Sequence, residues 1–261
     1  MKIPIYWVDA FEEGPFTGNP AAVCLLQHWL DDDLMQAIAR ENNLSETAFL
    51  VPVDDGWHIR WFTPAEEVAL CGHATLASAA AISRFVDPQA SVIRFHSRSG
   101  LLQARREEER FVLIFPSRPP RESAARAELS EALGAAPEQV LCADYYLAVF
   151  AAEDDIRGLQ PDFTALAALG RTGVIVTAPA ADPGLDFVSR FFAPAVGVDE
   201  DPVTGSAHCT LIPYWAGRLG KTTLTARQLS ERGGQLFCGL REDTVEIGGR
   251  ARHYLSGELE V

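Results

Sequence analysis

Two stretches half a chain apart read alike, and that likeness constrains the fold more than any other feature. Arg60-Trp61-Phe62-Thr63-Pro64-Ala65 corresponds to Arg190-Phe191-Phe192-Ala193-Pro194-Ala195 at an offset of 130 residues in a chain of 261. In both places an aromatic strand end runs through a proline turn to a glycine, Gly72 or Gly205, and then into a largely apolar segment. A helix that is apolar all round belongs inside a protein. The first four N–H groups of such a helix have no partner within it and can receive an anion. A repeated strand–turn–buried helix implies a duplicated α/β unit, with the two helix starts facing one cleft. Chance similarity of a short aromatic-proline motif is the competing explanation.

The remaining patterns fill out two halves. Segments 3–11, 21–26, 44–51 and 57–62 read as strands, with a helix between 31 and 43. Three more strands follow at 92–96, 100–105 and 111–115, and Pro119-Pro120 marks a linker. We therefore place one lobe at 1–116 plus 250–261 and the other at 117–249. In the second lobe, helices are expected at 127–133 and 162–169. Strands are expected at 140–141, 145–150, 173–178, 185–192, 245–247 and 259–261.

Composition narrows the partners. A net charge of −14 argues against a polyanion, so nucleic acid is excluded as a main partner. No apolar run approaches the roughly 20 residues that span a bilayer, and the start of the chain is too short and too quickly acidic for a signal peptide. No membrane partner is expected. Five scattered cysteines without metal-ligand spacing suit a reducing cytoplasm and give no zinc pattern, so no metal is expected.

Single residues leave alternatives open. Glu46 sits among Leu44, Ala48 and Phe49, where a desolvated carboxylate can serve as a general acid/base; an outward-facing strand residue would read the same. His73 and Asp201 fit capping turns as readily as catalysis. Cys71 reads as a small core residue, because a cysteine and a histidine separated only by Gly72 are not expected to form a dyad.

Taken together, Asp9-Ala10-Phe11, Gly18-Asn19-Pro20-Ala21, Leu44-Ser45-Glu46-Thr47-Ala48-Phe49, Thr63-Pro64 with Cys71-Gly72-His73-Ala74-Thr75, and Asp201-Pro202-Val203-Thr204-Gly205-Ser206-Ala207 resemble the PhzF-like phenazine biosynthesis isomerase family. The resemblance implies a diaminopimelate epimerase-like α+β fold. Its two pseudo-symmetric lobes are each a mostly antiparallel, barrel-like sheet around a central helix, and the last strand returns to the first lobe. It implies a cofactor-free isomerase, usually a homodimer, that moves a proton on a small carboxylic acid. The catalytic residues it implies are Glu46, His73, Asp201 and Ser206. Asn19, Gly72, His73, Gly205 and Ser206 would hold the substrate. A non-catalytic metabolite- or protein-binding member of the fold is the alternative. Diaminopimelate epimerases carry two catalytic thiols; here Cys71 stands at the first position and Thr204 at the second, which excludes two-thiol racemisation. Cys238-Gly239-Leu240-Arg241 also departs from the family's usual Gly-Arg-Pro.

Overall fold

The computed structural model describes residues 1–261, Arg126 through its backbone alone. The chain divides into two compact units, Met1–Ile114 with Gly248–Val261, and Phe115–Ile247. Residues 116 and 250, where the sequence places lobe boundaries, fall within strands that continue through the edges of the units.

The first unit begins β1 (Lys2–Ala10), β2 (Asn19–Leu25), α1 (Asp32–Asn42), β3 (Glu46–Val53), β4 (Gly56–Phe62), β5 (Glu67–Val68) and α2 (Gly72–Phe85). It continues with β6 (Val92–Ser97), β7 (Gly100–Glu107) and β8 (Arg110–Pro116). The second unit contains β9 (Arg121–Glu122), α3 (Arg126–Leu133), β10 (Gln139–Cys142), β11 (Tyr146–Val149), α4 (Glu153–Arg157), α5 (Phe163–Ala167), β12 (Val174–Pro179) and β13 (Phe187–Phe192). Then come α6 (Gly205–Leu219), β14 (Thr223–Gln228), β15 (Gly234–Arg241) and β16 (Thr244–Glu260). The fold is α+β, as expected.

In the first unit the strands run β1-β2-β3-β4-β6-β7-β8, and β16 lies beside both β8 and β1, closing the sheet. Most neighbours are antiparallel; β2–β3 and β4–β6 are parallel, each bridged by a helix, α1 and α2 respectively. The second unit repeats this plan. Its parallel pairs are β11–β12, bridged by α4 and α5, and β13–β14, bridged by α6. The duplication read from Arg60 and Arg190 is therefore a duplication of topology: each arginine stands two residues before the end of its strand, β4 or β13.

The apolar composition of α2 explains where it lies. Ala74, Leu76, Ala77, Ala79, Ala81 and Ile82 are all buried, and the helix touches β1, β2, β3 and β7. Complete burial of a side chain such as Leu76 or Ile82 contributes about 2 kcal/mol. In α6, Pro213 has no N–H for the carbonyl of Cys209. That carbonyl instead accepts the Arg118 N–H at 2.9 Å, so the proline leaves no orphaned group behind.

Two expectations are corrected. The tail is one 17-residue strand, not two short ones. Its glycines break the apolar pattern, yet antiparallel pairing with β1, from Lys2↔Glu260 to Ala10↔Ala251, carries it through. β14 and β15 escape the sequence reading altogether: the inward positions of β14 are Leu224, Ala226 and Gln228, only one of them strongly apolar, and Gly234 and Gly239 dilute the pattern of β15.

Candidate active site

In the first unit three separated segments converge on one imidazole. His73 is the second residue of α2 and is 5% exposed. Cys71, the residue before the helix, is extended (φ −141°, ψ 115°) and no side chain caps the helix start. The Thr75 hydroxyl donates to the Cys71 carbonyl at 2.5 Å and locks this turn. Glu46 begins β3, opposite Ala21 of the parallel strand β2, and Asn19 begins β2.

Each ring nitrogen of His73 has its own company. Nε2 lies 3.0 Å from Glu46 Oε2. The approach is close but not aligned as a hydrogen bond, so both buried atoms keep unused hydrogen-bonding capacity. Asn19 Nδ2 donates to Nδ1 at 3.2 Å, and Cys71 Sγ lies 3.5 Å from the same nitrogen. The expectation that Cys71 and His73 stay apart is thereby overturned. The extended conformation of Cys71 aims its thiol back across Gly72 toward the ring, which sequence separation alone does not reveal.

Burial works against charge on His73, but Cys71 and Glu46 outweigh it and hold the imidazole well above its ordinary value. Burial, reinforced by the Glu46 carboxylate, pushes the Cys71 thiol up. The site therefore gathers a thiol, an imidazole and a carboxyl group in one buried pocket of the first unit. When both ring nitrogens carry protons, a half-turn of the Asn19 amide presents its oxygen to Nδ1. The ligand atoms of Glu46, Cys71 and His73 lie within 4.8 Å of one another.

The second unit places Asp201 and Ser206 in separate small networks. The Thr204 hydroxyl donates to Asp201 Oδ2. Buried Gln228 ties the turn together: its amide nitrogen donates to the Asp201 carbonyl at 2.8 Å and to the Thr204 hydroxyl at 3.1 Å, and its oxygen accepts the Thr204 N–H at 2.9 Å. Ser206, the second residue of α6, shares a 3.1 Å hydrogen bond with the Tyr145 hydroxyl. Burial pushes the Tyr145 phenol up. His208, two residues further on and one turn past Thr204, is fully buried, bonds the Thr204 carbonyl through Nδ1 at 2.8 Å, and is pushed down to about 4 by burial. It is a neutral structural residue.

Of the residues expected at the site, Asn19, Glu46, Gly72 and His73 lie together in the first unit, while Asp201, Gly205 and Ser206 lie at or just before the start of α6 in the second. Sequence reasoning missed Tyr145 and Gln228. Tyr145 precedes β11 in a run of strand formers, and Gln228 is a lone polar residue at a strand end; neither carries a local signal of its partner.

Comparison with known proteins shows the family and the fold. The sequence model of the phenazine biosynthesis-like protein family (PhzC-PhzF) matches residues 8–257. A Pseudomonas aeruginosa protein described as an uncharacterized isomerase is 53% identical, with all of both chains covered. The crystal structure of a PhzF-family phenazine biosynthesis protein from Enterococcus faecalis superposes with a TM-score of 0.97 at 45% identity, again over the whole of both chains. A predicted epimerase from Pseudomonas aeruginosa, 21% identical, shares the fold with a TM-score of 0.77, covering 99% of each chain.

Proposed function

Because the chain belongs to the phenazine biosynthesis-like (PhzC-PhzF) family and is an isomerase, we propose that it moves a proton between carbons of a small carboxylic acid, with Glu46 as the base and His73 as its acid partner. The observation that carries this reading is the 3.0 Å approach of His73 Nε2 to Glu46 Oε2, buried and without a finished hydrogen bond.

Glu46 removes a proton from the carbon next to the substrate's activating group. His73 donates toward the enolate that develops. Glu46, now protonated, returns the proton to a different carbon. Asn19 holds the imidazole ring in place. The N–H groups of the α2 start, which no side chain caps, receive the substrate carboxylate, and Gly72 lets it approach the backbone. The reaction needs one carboxylate base, not two thiols, which agrees with Thr204 standing opposite Cys71 in the repeat.

The test is to incubate the protein in D₂O with a set of small carboxylic acids and to follow label by NMR and mass spectrometry. Label should enter a true substrate with the native protein and fail to enter with Glu46→Gln. Retained labelling in that variant would remove Glu46 from the role.

A further inference from the structure

The repeated arginines are not used by the chemistry above, and their own contacts match, although Glu67 also meets Arg98 at 2.8 Å. Arg60 Nε and Nη2 grip the two oxygens of Glu67 at 2.7 Å each. Arg190 Nε and Nη2 grip those of Glu200 at 2.7 and 3.0 Å. The same two nitrogens are used in each case. Each guanidinium also lies over the aromatic ring two residues ahead, 5.2 Å from Phe62 or 4.9 Å from Phe192. The third nitrogen, Nη1, ties each arginine to a neighbouring element: Asp32 at the start of α1 (2.8 Å), or the carbonyls of Ile156 in the last turn of α4 and Leu159 just after it (3.0 Å each). All four clamp side chains are at most 22% exposed.

The spacing gives the clamps a purpose. From strand end to helix glycine, the second copy is three residues longer than the first, but the extra residues precede the glutamate. Glu67 stands five residues before Gly72, and Glu200 five before Gly205. The clamp and the turn are thus kept as one rigid length, and Glu200 directly precedes Asp201. A bidentate arginine–carboxylate pair fixes direction as well as distance, which a lysine cannot do.

We propose that Arg60 and Arg190 are positioning residues: each clamps a glutamate five residues before a helix and thereby sets the turn that presents Cys71 and His73, or Asp201 and Ser206. The catalytic meaning of those turns rests on the function proposed above, but the positioning itself can be measured without a substrate.

The experiment is native-state hydrogen exchange by mass spectrometry on the full chain, comparing Arg60→Lys, Glu67→Gln, Arg190→Lys and Glu200→Gln with the native protein. His73 is titrated by NMR in parallel. Loss of one charge-assisted grip should speed exchange about tenfold in the turn that it holds, 68–75 or 201–207, with β12 and β3 unchanged. Arg60→Lys and Glu67→Gln should also shift the His73 titration; the Arg190 and Glu200 variants should not. Unchanged exchange in the turns, or exchange raised equally in β12 and β3, would overturn the proposal. If a lysine variant fails to fold, the corresponding glutamine variant decides. Failure of the D₂O labelling test would reject the proposed chemistry and leave this result standing.

Discussion

Glu46 and His73 meet at 3.0 Å although 27 residues separate them, one at the start of a strand and the other at the start of the central helix. The parallel pairing of β2 and β3 sets Glu46 beside Ala21, two residues beyond Asn19, which holds the other side of the same imidazole. Replacing Glu46 by Gln removes the base and keeps the shape. We expect solvent-deuterium incorporation into substrate to fall by about 10²–10⁴-fold, with little change in thermal stability. A variant that unfolds early would show that the loss was structural.

Gly18 controls Asn19. It adopts φ +82°, and a Cβ there would lie 2.4 Å from the carbonyl oxygen of Ala10. Gly18→Ala should cost about 1–3 kcal/mol in denaturant unfolding and displace Asn19, so the His73 titration should move with it. A stable variant with an unmoved titration would show that Asn19 is placed by other contacts.

Tyr145→Phe removes the hydroxyl that Ser206 meets and keeps the ring against Phe191, whose centroid is 4.9 Å away. The cost to stability should be about 1 kcal/mol. A denaturation midpoint equal to that of the native protein would show that this hydroxyl contact holds nothing in place.

His208 makes stability depend on acid. Its folded value of about 4 lies below the unfolded histidine value near 6.5, so the unfolded chain binds the proton first as pH falls. The contribution is complete above pH 6.5 and is lost between there and pH 4, amounting to about 3 kcal/mol. His208→Gln should flatten that part of the stability profile measured by urea unfolding. A native profile already flat over that range would contradict a neutral His208.

Of the five cysteines, Cys24, Cys71, Cys209 and Cys238 are buried and Cys142 is partly exposed. Burial pushes the thiols of Cys24 and Cys209 up to about 12, and Cys71 and Cys238 up as well. A thiol reagent at neutral pH should therefore react promptly with one thiol in the folded protein and with all five after unfolding. Prompt reaction at Cys71 would show a turn more open than this one.

The comparison of sequence with structure separates two kinds of information. Residues 70–82 and 204–212 announce buried helices with glycine starts, since apolar periodicity and turn chemistry are local. The glycine-broken β16 and the weakly patterned β14 and β15 are hidden, because their pairing with neighbours, not their own pattern, makes them strands. Cys71 is buried as its sequence setting suggests, but its approach to His73 depends on a backbone angle that the sequence does not reveal.

By itself, then, the sequence determined the duplication, the two buried helices and the residues at their starts, all carried by short-range patterns that any local reading can sum. Only the tertiary structure decided which side chains meet. Asn19 finds His73 across 54 positions, Tyr145 finds Ser206 across 61, and Gln228 closes the Thr204 turn across 24. Such contacts are set by strand register and helix placement, which belong to the packed sheet as a whole and to no single stretch of chain.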